Sequence, residues 1–235
     1  MASSGISALD ALTGGLPRGC LTEICGPASS GRTTVLLAAL AAATNRREFC
    51  VVVDASDALD PHSAATAGVE LDRLLWVRCG EGASKSHTTE AGITSQSAFP
   101  FDRVKLRFSE YRLEQVLRAT DLLLESGGFG LIVLDLADLP IQAARRIPLT
   151  TWFRFRRAVE NKPTILLAIE QYPIAGSCSS LLLQLGAPDH ARKEIEPTHA
   201  DLLTGSKITA ELIRSRLERK PARSVSFASK TAWAG

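Results

Sequence analysis

Gly26-Pro27-Ala28-Ser29-Ser30-Gly31-Arg32-Thr33 lies between two apolar stretches and is followed by a second threonine, Thr34. Residues 21–25 before it read as a buried strand. Residues 33–44 after it are rich in Ala and Leu and apolar nearly all round, which reads as a buried helix. A strand that turns through spaced glycines into a helix N-terminus leaves few architectures open. The glycines let the backbone wrap an anion, inward N–H groups bind it, and the helix dipole adds positive charge. The spacing is that of G-x-x-x-x-G-K-[ST], with Arg32 where the pattern has lysine.

Further strands are expected at residues 50–54, 74–79, 131–136, 164–169, 181–185, 209–217 and 224–227. The earlier ones are nearly continuous runs of Val, Ile and Leu, as in a parallel sheet covered on both faces. Helices alternate with them. Residues 111–124 carry Leu113, Val116, Leu117, Thr120 and Leu124 on one face, with Ser109 as N-cap. Residues 150–160 form another, opened by Pro148 and ended before Pro163. The pattern predicts a three-layer α/β domain with a mostly parallel central sheet. The last strands follow one another without helices, so that edge is expected to be antiparallel. Residues 81–99 and 186–204 read as mobile loops and 220–235 as a C-terminal tail. No linker divides residues 1–235, which are read as a single domain.

Composition removes several function classes. The 27 Lys and Arg nearly balance the 25 Asp and Glu, so net charge gives no global argument for nucleic acid. The longest apolar run, residues 35–43, is far short of a membrane span, and no signal peptide is visible. No membrane association is expected, and the cytoplasm is the expected location. The five cysteines form no CxxC pair and read as inert core thiols. The four scattered histidines offer no metal-ligand spacing.

The chemistry concentrates around the glycine loop, which is the Walker A pattern with an altered cation. Thr33 is placed to offer a hydroxyl to Mg²⁺. Leu131-Ile132-Val133-Leu134-Asp135 reads as Walker B, with Asp135 in the Mg²⁺ shell. ATP and Mg²⁺ are therefore the expected ligands, held by Gly26, Ser29, Ser30, Gly31, Arg32, Thr33, Thr34 and Asp135. Arginine is planar and larger than lysine, and the two are not interchangeable at a tight phosphate site. Two readings stand together: a loop that binds nucleotide with weak or absent hydrolysis, and a relic that keeps the turn and binds nothing.

Several strings resemble the bacterial RecA recombinase core. Gly14-Gly15-Leu16-Pro17-Arg18-Gly19, Glu23-Ile24 and the glycine loop match its start. So do Val53-Asp54-Ala55-x-x-Ala58-Leu59-Asp60-Pro61 and Ala67-Gly68-Val69-x-Leu71-Asp72-x-Leu74-Leu75. The resemblance runs over roughly residues 5 to 230 and is strongest in the first 80. It implies a RecA-like P-loop NTPase core in which Asp60 contacts adenine and Gln171 reports on the γ-phosphate. It also implies that Arg214 and Arg216 stand where RecA carries paired lysines acting across a subunit interface.

The departures fall on function. Ser56 stands where the resemblance places the glutamate that orients the attacking water, and Ser63 where it places an adenine-stacking tyrosine. Asp57, beside Ser56, should point elsewhere. Gln171 follows Asp135 by only 36 residues, too few for a full first DNA-binding loop, and residues 172–178 leave a stub of the second. RecA's N-terminal docking elements and C-terminal domain are not in these 235 residues, so no self-assembled strand-exchange filament is expected.

This trimmed core with altered ATPase residues is similar to the ImuA family. That resemblance implies a non-recombinase accessory protein of SOS-induced translesion synthesis, with weak or no hydrolysis. An ImuB-type Y-family polymerase homologue and RecA are the implied partners. Alternatives are a DNA-dependent ATPase or minimal recombinase, a regulator of RecA filaments, and a SulA-like division inhibitor.

Two local basic regions remain. Residues 141–162 carry Arg145, Arg146, Arg154, Arg156, Arg157 and Lys162 against Glu160. Residues 206–235 carry Lys207, Arg214, Arg216, Arg219, Lys220, Arg223 and Lys230 against Glu211 and Glu218. With Trp152, Phe153 and Phe155 interleaved, single-stranded DNA is one candidate ligand and an acidic protein surface another. The plainer reading makes Trp152, Phe155 and Val159 core residues and the arginines a solvated face. Trp233 in the tail is either a peptide anchor or packed on the last strand.

Overall fold

The computed structural model of the chain describes residues 1–79, 101–186, 205–216 and 223–230. Eight strands form one sheet in the order β3-β2-β4-β5-β1-β6-β7-β8. They are β1 (Cys20–Cys25), β2 (Cys50–Asp54), β3 (Leu74–Arg78), β4 (Leu131–Asp135), β5 (Ile165–Glu170), β6 (Leu181–Gly186), β7 (Gly205–Ser215) and β8 (Arg223–Lys230). The first six in spatial order pair in parallel, and β6-β7-β8 pair antiparallel, as expected.

Both faces are covered, which explains the continuous apolar runs. On one face α2 (Arg32–Asn45) lays Val35, Leu36, Ala39 and Leu40 against Ile24, Val52, Val133 and Leu167. Its alanines bring helix and sheet close together. On the other, α4 (Phe101–Ser126) and α6 (Leu149–Val159) cover Val51, Val53, Ile132, Leu134 and Leu166. Trp152 and Phe155 are fully buried there, in edge-to-face contact with ring centroids 6.1 Å apart. Val52 and its neighbours at 51 and 53 thus face opposite layers, as pleating requires.

The structure corrects several expected boundaries. Helix α4 begins at Phe101, so Ser109 lies inside it and not at its start. The helix-forming Arg, Lys and Glu around Ser109 outweigh its capping preference. β7 starts at Gly205 and β8 spans Arg223–Lys230, because the two pair along their length from Gly205 with Lys230. Much of the expected tail is therefore a strand. Gly186 closes β6, paired with Thr209, and is not loop. The expected loop at 81–99, the rest of 186–204 and Trp233 lie outside the described residues. Three short helices were not anticipated: α1 (Ser7–Thr13), α3 (Pro61–Thr66) and α5 (Ile141–Ala144). No helix among the described residues is long and apolar enough to cross a membrane.

Candidate functional site

Parallel sheets bind ligands beyond the carboxyl ends of their strands. Here the segments after β1, β2 and β4 meet at that end around a cleft of about 140 Å³. Arg32, Thr33, Asp60, Ser63, Asp135 and Asp138 are among its lining residues. The end of the glycine loop thus lies beside Asp60 and Asp135.

Within the loop, Gly31 has φ +92°, a conformation that favours glycine. A β-carbon there would lie 2.3 Å from Cδ1 of Ile208 on β7. The antiparallel edge therefore packs directly on the loop. The Thr34 hydroxyl is 3.5 Å from that of Ser229 on β8. Pro27, Ala28 and Ser29 are exposed, whereas Ser30 is buried and its hydroxyl has no partner among the described residues.

The residues match a magnesium–nucleotide on the metal side. Thr33 is exposed, and burial pushes the Asp135 carboxyl up to about 6, still ionised at neutral pH. Both supply the oxygen ligands that Mg²⁺ takes, and a bound Mg²⁺–ATP would supply phosphate charge neutralisation there. The cation side differs. Arg32 is only 9% exposed, and its guanidinium donates to the Ala137 carbonyl (3.2 Å), just past the end of β4. Gln171 Nε2 donates to the same oxygen (2.8 Å) and to Leu139 O (3.3 Å). Both side chains are thus anchored on the segment after Asp135.

The segment after β2 is shaped by its acids. Asp54 is fully buried and accepts from Ser56 N (3.0 Å), Leu59 N (2.9 Å) and Trp76 Nε1 (3.1 Å). This holds the turn that carries Ser56. Asp57 leaves the cleft and forms a two-point pair with Arg78 at 2.6 Å for each contact, which pulls its carboxyl below the usual range. Asp60 caps α3, accepting from His62 N, Ser63 N and the Ser63 hydroxyl. These donors, the hydroxyl foremost, hold its carboxyl below its ordinary value. Ser63 thus serves Asp60 and offers no aromatic face.

Arg214 and Arg216 bind within the chain. Arg214 donates to Gly176 O and to the Ser179 hydroxyl, and Arg216 to Ser177 O. Together they fasten the crossover from β5 to β6. In the other basic region, Arg154 forms a two-point pair with Asp121 (2.9 and 2.8 Å), and Arg145 lies 6.0 Å from the Tyr172 ring centre.

Sequence reasoning missed a buried carboxyl pair beneath that crossover. Glu23 Oε1 accepts from Ile174 N (2.9 Å) and Ala175 N (2.7 Å). Its second oxygen and both oxygens of Glu170 have no hydrogen-bond partner within ordinary distance and angle among the described residues. Burial, reinforced by Glu23, pushes the Glu170 carboxyl well above its ordinary value. The available signal was an acid inside an apolar strand, at Glu23 and again at Glu170. The cysteines match expectation: all five are free, and burial pushes Cys25 and Cys50 up to about 12 and Cys79 to about 11. No group of His, Cys, Asp and Glu suited to a metal ion occurs among the described residues.

A three-layer α/β fold with a glycine-rich anion loop at the carboxyl end of a parallel sheet defines the class. Comparison with known proteins narrows it. Residues 1–99 match the RecA N-terminal domain family. Protein RecA of Nostoc punctiforme is 54% identical over 74 residues, covering 31% of this chain and 21% of that protein. Protein RecA of Cutibacterium acnes is 37% identical over 134 residues, covering 56% of this chain and 30% of that protein. The chain thus spans under a third of the length of these relatives. The crystal structure of the RadB recombinase is similar with a TM-score of 0.59 and 19% identity, over 97% of this chain and 95% of that one. The chain thus has a RecA-like three-layer α/β fold.

Proposed function

We propose that this chain is a non-recombinase accessory protein of DNA damage tolerance, acting through protein partners with weak or no ATP hydrolysis. The reading includes a place in SOS-induced translesion synthesis of the ImuA type, with an ImuB-type polymerase homologue and RecA as partners. The observation that carries it is the shared Ala137 carbonyl. Arg32 at the lysine position and Gln171 at the sensor position both spend donors on it. The Gln171 amide nitrogen is engaged by two carbonyls, and Arg32 is tethered through one of its five N–H groups. Ser56 at the water-orienting position adds to this, since positioning and charge supply nearly all phosphoryl-transfer catalysis. Asp57, the acid next to Ser56 in sequence, is engaged by Arg78.

The test is ATP hydrolysis measured with and without single-stranded DNA. Little turnover, unchanged by DNA, is expected. Robust DNA-stimulated turnover, abolished by Thr33→Ala and Asp135→Ala, would overturn the reading. It would favour the second one, a DNA-dependent ATPase, which the shared cleft of Thr33 and Asp135 supports. Co-purification with the purified polymerase homologue and with RecA tests the partners.

A further inference from the structure

Far from the glycine loop, α6 presents a stripe its own core does not use. Trp152, Phe155 and Val159 bury one face, whereas Leu149 is 53% and Phe153 46% exposed. Leu149, Phe153 and Arg156 follow at four- and three-residue spacing, so they form one continuous surface. Across from it runs the β5–β6 crossover. A β-carbon at Gly176 would come within 3.3 Å of Leu149 Cδ2, so Leu149 forms the near wall at that end. At the other end lies a concavity of about 210 Å³, lined among others by Cys20, Arg156, Glu160, Ser180 and Arg216.

The far wall is held rigid by the bonds from Arg214 to Gly176 and from Arg216 to Ser177. Those bonds leave the Arg216 guanidinium at the rim. Arg156 and Arg157 add two more, and neither is in an ion pair among the described residues. Glu160 is the one acid lining the concavity. The surface therefore combines exposed apolar anchors, a preformed hollow and excess positive charge. Buried apolar anchors inside a charged rim are what a peptide-binding surface requires.

We propose that the groove between α6 and residues 176–180 docks an acidic peptide segment of a partner protein. One aromatic or branched apolar side chain of that segment enters the hollow, and its carboxylates meet Arg156, Arg157 and Arg216. Charge complementarity selects the acidic partner, and the aliphatic Leu149 favours a peptide over stacked bases. The site is independent of nucleotide, so it stands whether or not the glycine loop binds ATP.

The experiment is selection from a random twelve-residue peptide display library on the immobilised chain, beside Phe153→Ser and Arg156→Glu as controls. The variants' circular dichroism and Tm verify folding. Enriched peptides are expected to pair Asp and Glu with Phe, Leu or Trp. A fluorescein-labelled synthetic copy should bind about tenfold more weakly to each variant, with affinity falling as salt rises. Non-acidic enriched peptides, or equal enrichment on Phe153→Ser, would overturn the proposal. So would a labelled oligo-dT that displaces the peptide and itself loses affinity in Arg156→Glu, which makes the groove a nucleic-acid site.

Discussion

Arg32 and Gln171, 139 positions apart in the chain, donate to one carbonyl oxygen, that of Ala137. The loop after β1 and the end of β5 are thus joined through the segment that follows β4. A guanidinium reaches that oxygen; the lysine side chain is shorter overall and ends in a compact ammonium, which keeps its charge nearer the loop.

Arg32→Lys is therefore expected to gain nucleotide affinity. Thermal unfolding with millimolar ATP and Mg²⁺ reads this directly, because a ligand present at 100 times its Kd adds about 2.7 kcal/mol. A larger Tm rise in the variant than in the native chain is expected. An equal or smaller rise means that the Ala137 contact does not withhold the cation.

The two raised carboxyls set the pH dependence of stability. Folded Asp135 and Glu170 hold protons that the unfolded chain has already released. Stability from these groups is thus present at low pH and lost as pH rises from the ordinary carboxyl value to the folded one. Each pH unit in that window costs about 1.4 kcal/mol per group. For Asp135 the window closes at about 6; for Glu170 it runs upward from the ordinary carboxyl value. Tm should fall from pH 5 to pH 8. In Glu170→Gln the fall should be shallower. A parallel pH profile would show that Glu170 carries no proton in the fold.

Trp152→Ala empties the largest buried site beneath α6. A loss of about 3–5 kcal/mol in denaturant unfolding is expected. Phe153→Ala, one residue on but exposed, should change stability by less than about 0.5 kcal/mol. Similar losses at both positions would contradict the burial of one and the exposure of the other.

Arg214→Ala and Arg216→Ala release carbonyls of the β5–β6 crossover. Faster hydrogen exchange at the amides of residues 174–180 is expected, with the β1 and β5 amides unchanged. Unchanged exchange in the crossover would mean that Glu23 alone holds it.

How much was legible depended on which groups carry the structure. The parallel sheet was visible because strands buried on two faces must be apolar throughout, as residues 51–53 and 131–134 are. Its antiparallel edge was visible from strands without helices between them. α3 went unrecognised although Asp60-Pro61 is an ordinary helix start, because six residues show no period. In the site, the placing of Thr33 and Asp135 followed from spacing. The tether of Arg32 did not, since its acceptor is a backbone carbonyl and every residue has one. The pairing of Glu23 with Glu170 escaped because it depends on strands β1 and β5 lying side by side, 147 residues apart in sequence.

The contact between Gly31 and Ile208 bears on what a glycine motif can report. Ile208 occupies the volume that any side chain at position 31 would need. The glycine is thus demanded by the far edge of the sheet, whatever the loop binds. A chain that had abandoned ATP would still be compelled to keep this residue, and with it much of the motif's outward form. Presence of the signature in such a chain measures the packing of its last strands as much as its use of nucleotide.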